Sequence, residues 1–344
     1  MKWLRVLAGG IVLLASLASL AAEDSPIMQD QRRSVEQTFL TYPEWFLVHS
    51  PAEYAHFASG QPAHGFPFLR HVGQLWSSYR SVTAEQLKAG YPANIGYHVM
   101  ICVIAGSTTA EYGLRWIYEN TVGRASWVFS GGKLTAEDRY GAQTAQDYVD
   151  FIRREPWYRY SFMSKLKGLW MDTPLLGPDV VRKLERRYAL STEYIVKAIY
   201  GKMIELATRS AYEPAQMTTQ VVAQSVPPEF VPPEGVRHLL TLQDDRAVLE
   251  LPRYDNFKLA ATRLAEMNVR LVDIAGNDSV ILVSVITDRD MSSLPPGIRV
   301  LFEQPIVTQP GRKRRALVVP VAALSQFLLE APAEGMAIEH VYDY

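Results

Sequence analysis

Apolar and polar positions divide the chain into three regimes. From Val6 to Leu20 no charged residue interrupts a run of aliphatic and small side chains, with Lys2 and Arg5 before it and Glu23 and Asp24 directly after it. A cationic start, an apolar centre and small residues at Ser19 and Ala21 are the pattern of an export signal cut after Ala21. Left uncut, the run through Ala22 sits at the short end of the roughly 17–25 residues a spanning helix needs. In both cases the charge asymmetry predicts that the body of the chain lies outside the cytoplasm. Residues 1–22 are therefore read as a signal peptide or N-terminal membrane anchor, and the product as exported, periplasmic, and either soluble or anchored. No cysteine follows the run, which excludes a lipid-modified N-terminus there.

From residue 23 to about 214 the apolar spacing is helical. Ser50-Pro51-Ala52-Glu53 has the form of a capping box with proline at the first helical position, and predicts a helix start. Thr135 followed by Glu137 and Asp138 predicts another, whose Ala145, Tyr148, Val149 and Ile152 keep helical spacing until Pro156. Val181, Leu184 and Tyr188 predict the inner face of a further helix, with Arg182, Lys183, Glu185 and Arg186 turned to water. Ser191 is expected to open a separate helix running to about Arg209, with Glu193 and Lys197 four apart on its surface.

Past this point the period shortens to two. Pro214, Pro227, Pro228, Pro232 and Pro233 mark residues 215–236 as an extended linker. Residues 237–344 then read as strand Ala247–Leu251, helix Tyr254–Met267, and strands Val269–Ile274 and Val280–Ile286. Gly276-Asn277-Asp278 is expected to join those two strands as a hairpin. Strands near Ile298–Phe302 and Ala316–Val319, helix Ala322–Leu329 and strand Ala337–Val341 follow. The expected class is α+β: a mostly helical N-terminal domain, then a ferredoxin-like (split βαβ) domain with an inserted hairpin. No internal repeat is read from the sequence.

Composition narrows the function. With 344 residues, 48% hydrophobic, 21% charged and a net charge of −1, the chain has enough apolar surface to fold and no basic excess for nucleic acid. Cys102 is its one cysteine, so burial and not disulfides must hold it. All seven Trp lie at or before Trp170.

Candidate chemistry is sparse. His98, Glu111, Arg115 and Glu119 interrupt an apolar segment, and the last three share one helical face. They are candidate catalytic residues, although a straight helix sets His98 about 20 Å from Glu111. The apolar part of that segment, Ile95 to Ala110, is too short to span a bilayer and reads as a core helix. Glu53 and His56 match the Glu-x-x-His spacing of carboxylate metal sites, but the second copy such bundles need is missing. His98 with Cys102 has metal-ligand spacing without further ligands. Glu53, His56 and His98 are thus weak metal candidates, and no cofactor is read from the sequence. Arg312, Lys313, Arg314 and Arg315 form a basic run in an expected turn, a candidate contact for a membrane or partner. The polar C-terminus from Glu339 to Tyr344 could dock on the first domain through its Tyr and His side chains.

With no nucleophile elbow or phosphate loop, the expected function is non-enzymatic: an exported or anchored protein whose helical domain binds a protein partner or a small ligand. The alternative is a metal-assisted or acid/base enzyme built around His98, Glu111, Arg115 and Glu119.

Overall fold

A computed structural model describes residues 25–211, 216–289 and 294–343. Residues 1–22, read from the sequence as a signal peptide or membrane anchor, lie outside the described residues.

The first half is helical. Its α-helices are α1 (Gln37–Ala58), α2 (Phe68–Ala89), α3 (Ile95–Tyr118), α4 (Arg124–Phe129), α5 (Ala136–Ile152), α6 (Phe162–Met171) and α7 (Val180–Ala211), with a π-helical turn at Glu119–Gly123 between α3 and α4. α1 packs on α2, α3 and α5, and α7 on α4, α5 and α6. Thr135 caps α5 with the reciprocal Thr135–Asp138 box, as its sequence predicts.

Two helix boundaries differ from expectation. α1 runs straight through Pro43 and Pro51, so Ser50 starts nothing. Its hydroxyl instead bonds His71 Nδ1 at 2.9 Å and the Tyr112 hydroxyl at 2.7 Å. Tertiary partners have taken the group that would cap a shorter helix, and packing on both faces of α1 outweighs two prolines. α7 is likewise one helix across Ser191.

The second half is mixed, but it is not the ferredoxin-like fold. β1 (Thr218–Gln224), β2 (Arg237–Thr241), β3 (Arg246–Pro252), α8 (Asp255–Glu266) and β4 (Arg270–Ile274) form one unit. β5 (Val280–Thr287), β6 (Arg299–Pro305), β7 (Lys313–Pro320), α9 (Val321–Glu330) and β8 (Ala337–Val341) form the next. The sheets run β2-β3-β1-β4 and β6-β7-β5-β8, antiparallel throughout, so the same βββαβ unit occurs twice in the same order. Registers correspond, Val221 facing Leu249 as Val283 faces Leu317.

This duplication corrects the absence of a repeat in the sequence reading. Pro232-Pro233-Glu234-Gly235-Val236-Arg237 leads into β2 as Pro295-Pro296-Gly297-Ile298-Arg299 leads into β6. Gly235 and Gly297 both adopt positive φ, 82° and 84°, and each lies against the proline ending its unit's third strand, Pro252 or Pro320. Corresponding strands differ in length by at most two residues while most side chains differ, so only these turn residues carry the echo.

Two further corrections follow. The proline-rich stretch read as linker contains β1, central in its sheet, because its prolines flank Thr218–Gln224 and leave every amide there free to pair. The expected β4–β5 hairpin is only a tight turn with an isolated bridge from Ile274 to Asn277, after which β5 enters the other sheet.

One apolar core joins the two units. It contains Leu249 and Val221 of the first sheet, Val283 and Leu317 of the second, and Phe257 and Phe327 of the helices. α8 touches β8 and α9 touches β4, so each helix packs on the last strand of the other unit. The opposite face of the second sheet, with Leu282 and Val318, packs on Phe39, Tyr42 and Trp45 of α1 and Val82 of α2. The second sheet is thus covered on both faces, and the helical half is seated on it.

Candidate functional site

Where α1 meets the second sheet, charged side chains are buried with the apolar ones. Arg314, on β7, is 2% exposed. It donates to both oxygens of Glu339 on β8, at 2.6 and 2.8 Å, and to Glu53 Oε1 on α1 at 3.0 Å. Glu53 Oε2 lies 3.5 Å from His71 Nε2, and His71 continues to Ser50 and Tyr112. On the other side His49 sits between Glu339, at 3.3 Å, and the Tyr342 hydroxyl, at 3.0 Å; Tyr342 in turn donates to Ser284. A continuous polar chain therefore crosses the domain boundary. Burial would raise the Glu339 carboxyl, but Arg314 and His49 pull it down to about 2. Burial, reinforced by the Arg314 charge, lowers both His49 and His71 to about 3, so both are neutral at pH 7. The C-terminal strand docks on the helical half through this chain, and His340 stacks on Trp45 with ring centroids 3.4 Å apart.

The basic run is accordingly not a solvated turn. Arg312 is exposed, but Arg314 and Arg315 are buried strand residues, Arg315 donating to Glu303 of β6 at 2.6 Å. Two-residue alternation sends Arg314 into the domain boundary, a destination that clustering alone does not disclose. Of the Glu-x-x-His pair, Glu53 is in the buried chain while His56 is exposed and points elsewhere.

The four candidate catalytic residues separate. His98 Nδ1 bonds the Tyr79 hydroxyl at 2.9 Å, near the start of α3. Glu111 and Arg115 join Glu193 and Lys197 of α7, with Lys197 2.6 Å and Arg115 3.3 Å from Glu193 Oε1. Burial opposes ionisation of Glu193, yet the two cations hold its carboxyl down at about 2. Glu119 belongs to a third group, accepting two bonds from Arg186 at 2.9 and 3.0 Å. Beside it Arg182 reaches Asp138 at 2.6 Å, Ser126 at 2.9 Å and Glu185 at 3.1 Å. Arg187 reaches Glu137 at 3.1 Å. The cleft next to this group, between Tyr54, Glu137, Gly141 and Arg186, has a volume of about 20 Å³, room for one water. Among the described residues no three His, Cys, Asp or Glu side chains are grouped as a metal requires.

These ion groups reverse the expected face of α7. Val181, Leu184 and Tyr188 are 58%, 50% and 64% exposed, whereas Arg182, Lys183, Arg186 and Arg187 are buried. The outward stripe continues through Ile195, Ile199, Met203 and Leu206. α3 with the π-helical turn after it has the same polarity: Val99, Val103, Leu114 and Ile117 point out, while Arg115 is half-buried and Glu119 of the turn is buried. Met163, Trp170 and Met171 of α6 extend the outward surface, as do Phe129 and Leu176, 82% and 81% exposed. Among the exposed residues of α3 only Glu111 is charged, and among those of α7 from Val180 to Leu206 only Lys202. An exposed apolar area of this extent is uncommon on a folded monomer that meets only water.

No protein-family model, curated protein or solved structure matches the chain.

Proposed function

We propose that this chain is an exported protein that acts by binding, docking an apolar partner on the outward surface of α3, α6 and α7. The duplicated sheet domain forms a rigid second body, clamped to the helices through Arg314. One observation carries the reading: α3 and α7 hold most of their charges inward and turn their aliphatic side chains outward, and α6 adds exposed Met163, Trp170 and Met171 beside its exposed Lys167. That arrangement wastes apolar burial unless something covers it. Export is supported by the N-terminal charge and hydropathy pattern alone. The rival enzyme reading gains nothing from the placement of His98, Glu111, Arg115 and Glu119 in three separate groups.

Photo-crosslinking tests the proposal. A benzophenone amino acid placed at Leu184 or Ile199 of the full chain is expected to form adducts in the cell, and one at Arg237 on the edge strand is not. Absence of any adduct at both apolar positions would refute docking through this surface.

A further inference from the structure

We infer that the partner covering α3, α6 and α7 is a phospholipid bilayer, with these helices immersed in one leaflet. The inference rests on the docking reading above and specifies its occupant.

The solvent on the two sides of these helices distinguishes lipid from a water-soluble partner. In a water-soluble bundle, aliphatic side chains fill the interior and charges face out. Here the inward side of α7 is ionic where it meets α3 and the π-helical turn: Arg115, Glu193 and Lys197 at one level, Arg182, Arg186, Glu119 and Glu185 at another, while its buried Leu190 and Tyr194 pack with Phe162 and Leu169 of α6. Burying such groups in a protein that meets water on its outside carries a large desolvation penalty, and aliphatic replacements are often at least as stable. In lipid the balance differs. Hydrocarbon offers no hydrophobic drive between helices, so polar and ionic contacts supply the attraction, and charges face inward and pair. One solvent accounts for both the inward ion groups and the outward aliphatic stripes.

Extent points the same way. At about 1.5 Å per residue the outward stripe of α3 is about 36 Å long and that of α7, from Val180 to Leu206, about 40 Å. Over both, one glutamate and one lysine are the exposed charges. A soluble partner's interface carries a polar rim, which these stripes lack. Among the described residues no helix is long and apolar enough to cross a membrane, and the inference is immersion from one side, not a crossing. The chain that precedes Ser25 supplies a second attachment to the same phase: Lys2 and Arg5 followed by the apolar run Val6–Leu20.

The unique Cys102 makes the test direct. The full chain carrying Cys102→Ser receives a single cysteine at Val103, Leu184, Ile199 or, as control, Arg237. Each is labelled with an environment-sensitive nitrobenzoxadiazole and mixed with phosphatidylcholine–phosphatidylglycerol vesicles, with or without a nitroxide-bearing lipid. The expected result is a blue shift, a several-fold rise in emission and nitroxide quenching at 103, 184 and 199, with none at 237. Leu184→Lys with Ile199→Lys, both on exposed positions, should weaken vesicle partition by about tenfold or more while far-UV circular dichroism stays unchanged. No quenching at the three apolar sites, or no effect of the two lysines on partition, overturns the inference. If adducts from Leu184 or Ile199 then prove to be with a protein or a second copy of this chain, docking stands with a different occupant. If no adducts form either, both readings fall.

Discussion

Replacing Arg314 by methionine keeps much of the side-chain volume and removes the charge on which the domain boundary is built. In the native protein the guanidinium makes three charge-assisted bonds, to half-buried Glu339 at 2.6 and 2.8 Å and to buried Glu53 at 3.0 Å. Removing one member of a buried ion group strands the others. The expected destabilisation is therefore about 3–5 kcal/mol, well above the ~1 kcal/mol of an exposed pair. Equilibrium urea unfolding at pH 7 measures it. The partners identify the cause: in a Glu53→Gln, Glu339→Gln background the same Arg314→Met change should cost much less, since no carboxylate remains to be stranded. Acid should narrow the gap between Arg314→Met and the native protein. Without Arg314 both carboxyls are raised by burial, so the folded variant binds protons that the unfolded chain releases, and its stability falls as pH rises. A penalty below about 1 kcal/mol, or an equal penalty in both backgrounds, would refute the claim that Arg314 clamps the domains by charge.

Other perturbations test neighbouring parts of the argument. His49 and His71, lowered to about 3, lend full stability above about pH 6.5 and lose it as pH falls towards 3, at up to about 1.4 kcal/mol per pH unit each. Imidazole NMR should show neither ring titrating above pH 5; midpoints near 6.5 would contradict their burial. Asp343, raised to about 7 by burial despite Arg253, acts in the opposite sense, eroding stability as pH climbs from about 4 to 7. Asp343→Asn should therefore flatten the stability profile in that window. Gly123→Ala places a Cβ 2.5 Å from Glu119 Oε2 and 3.2 Å from Arg186, and should cost about 1–3 kcal/mol in thermal or urea unfolding; a neutral outcome would show that the ion group can yield.

Local signals carried some elements and misled on others. The Thr135 box is legible because both partners lie within one turn. The strands from Arg246 onward are legible because alternation and β-branched residues act locally. Ser50 misled because its partners, His71 and Tyr112, lie on other helices. The candidate site fared similarly: Glu111 and Arg115 are neighbours on one helix, but the residues that complete their group, Glu193 and Lys197, come from α7. Glu53 was visible as half of a metal spacing and proved to be an ion-pair partner of Arg314, 261 positions away.

Residue order alone settles which side chains can share a face: period and turn chemistry are properties of a few consecutive side chains, and they survive in isolation. Which way a face turns is a property of its surroundings. Val181, Leu184 and Tyr188 sit together on α7 under any reading, and the same wheel puts Arg182 and Arg186 opposite them. That the arginines go inside is visible only in the folded chain, because that choice depends on acidic partners waiting at Glu119 and Asp138 and on the medium that meets the aliphatic side.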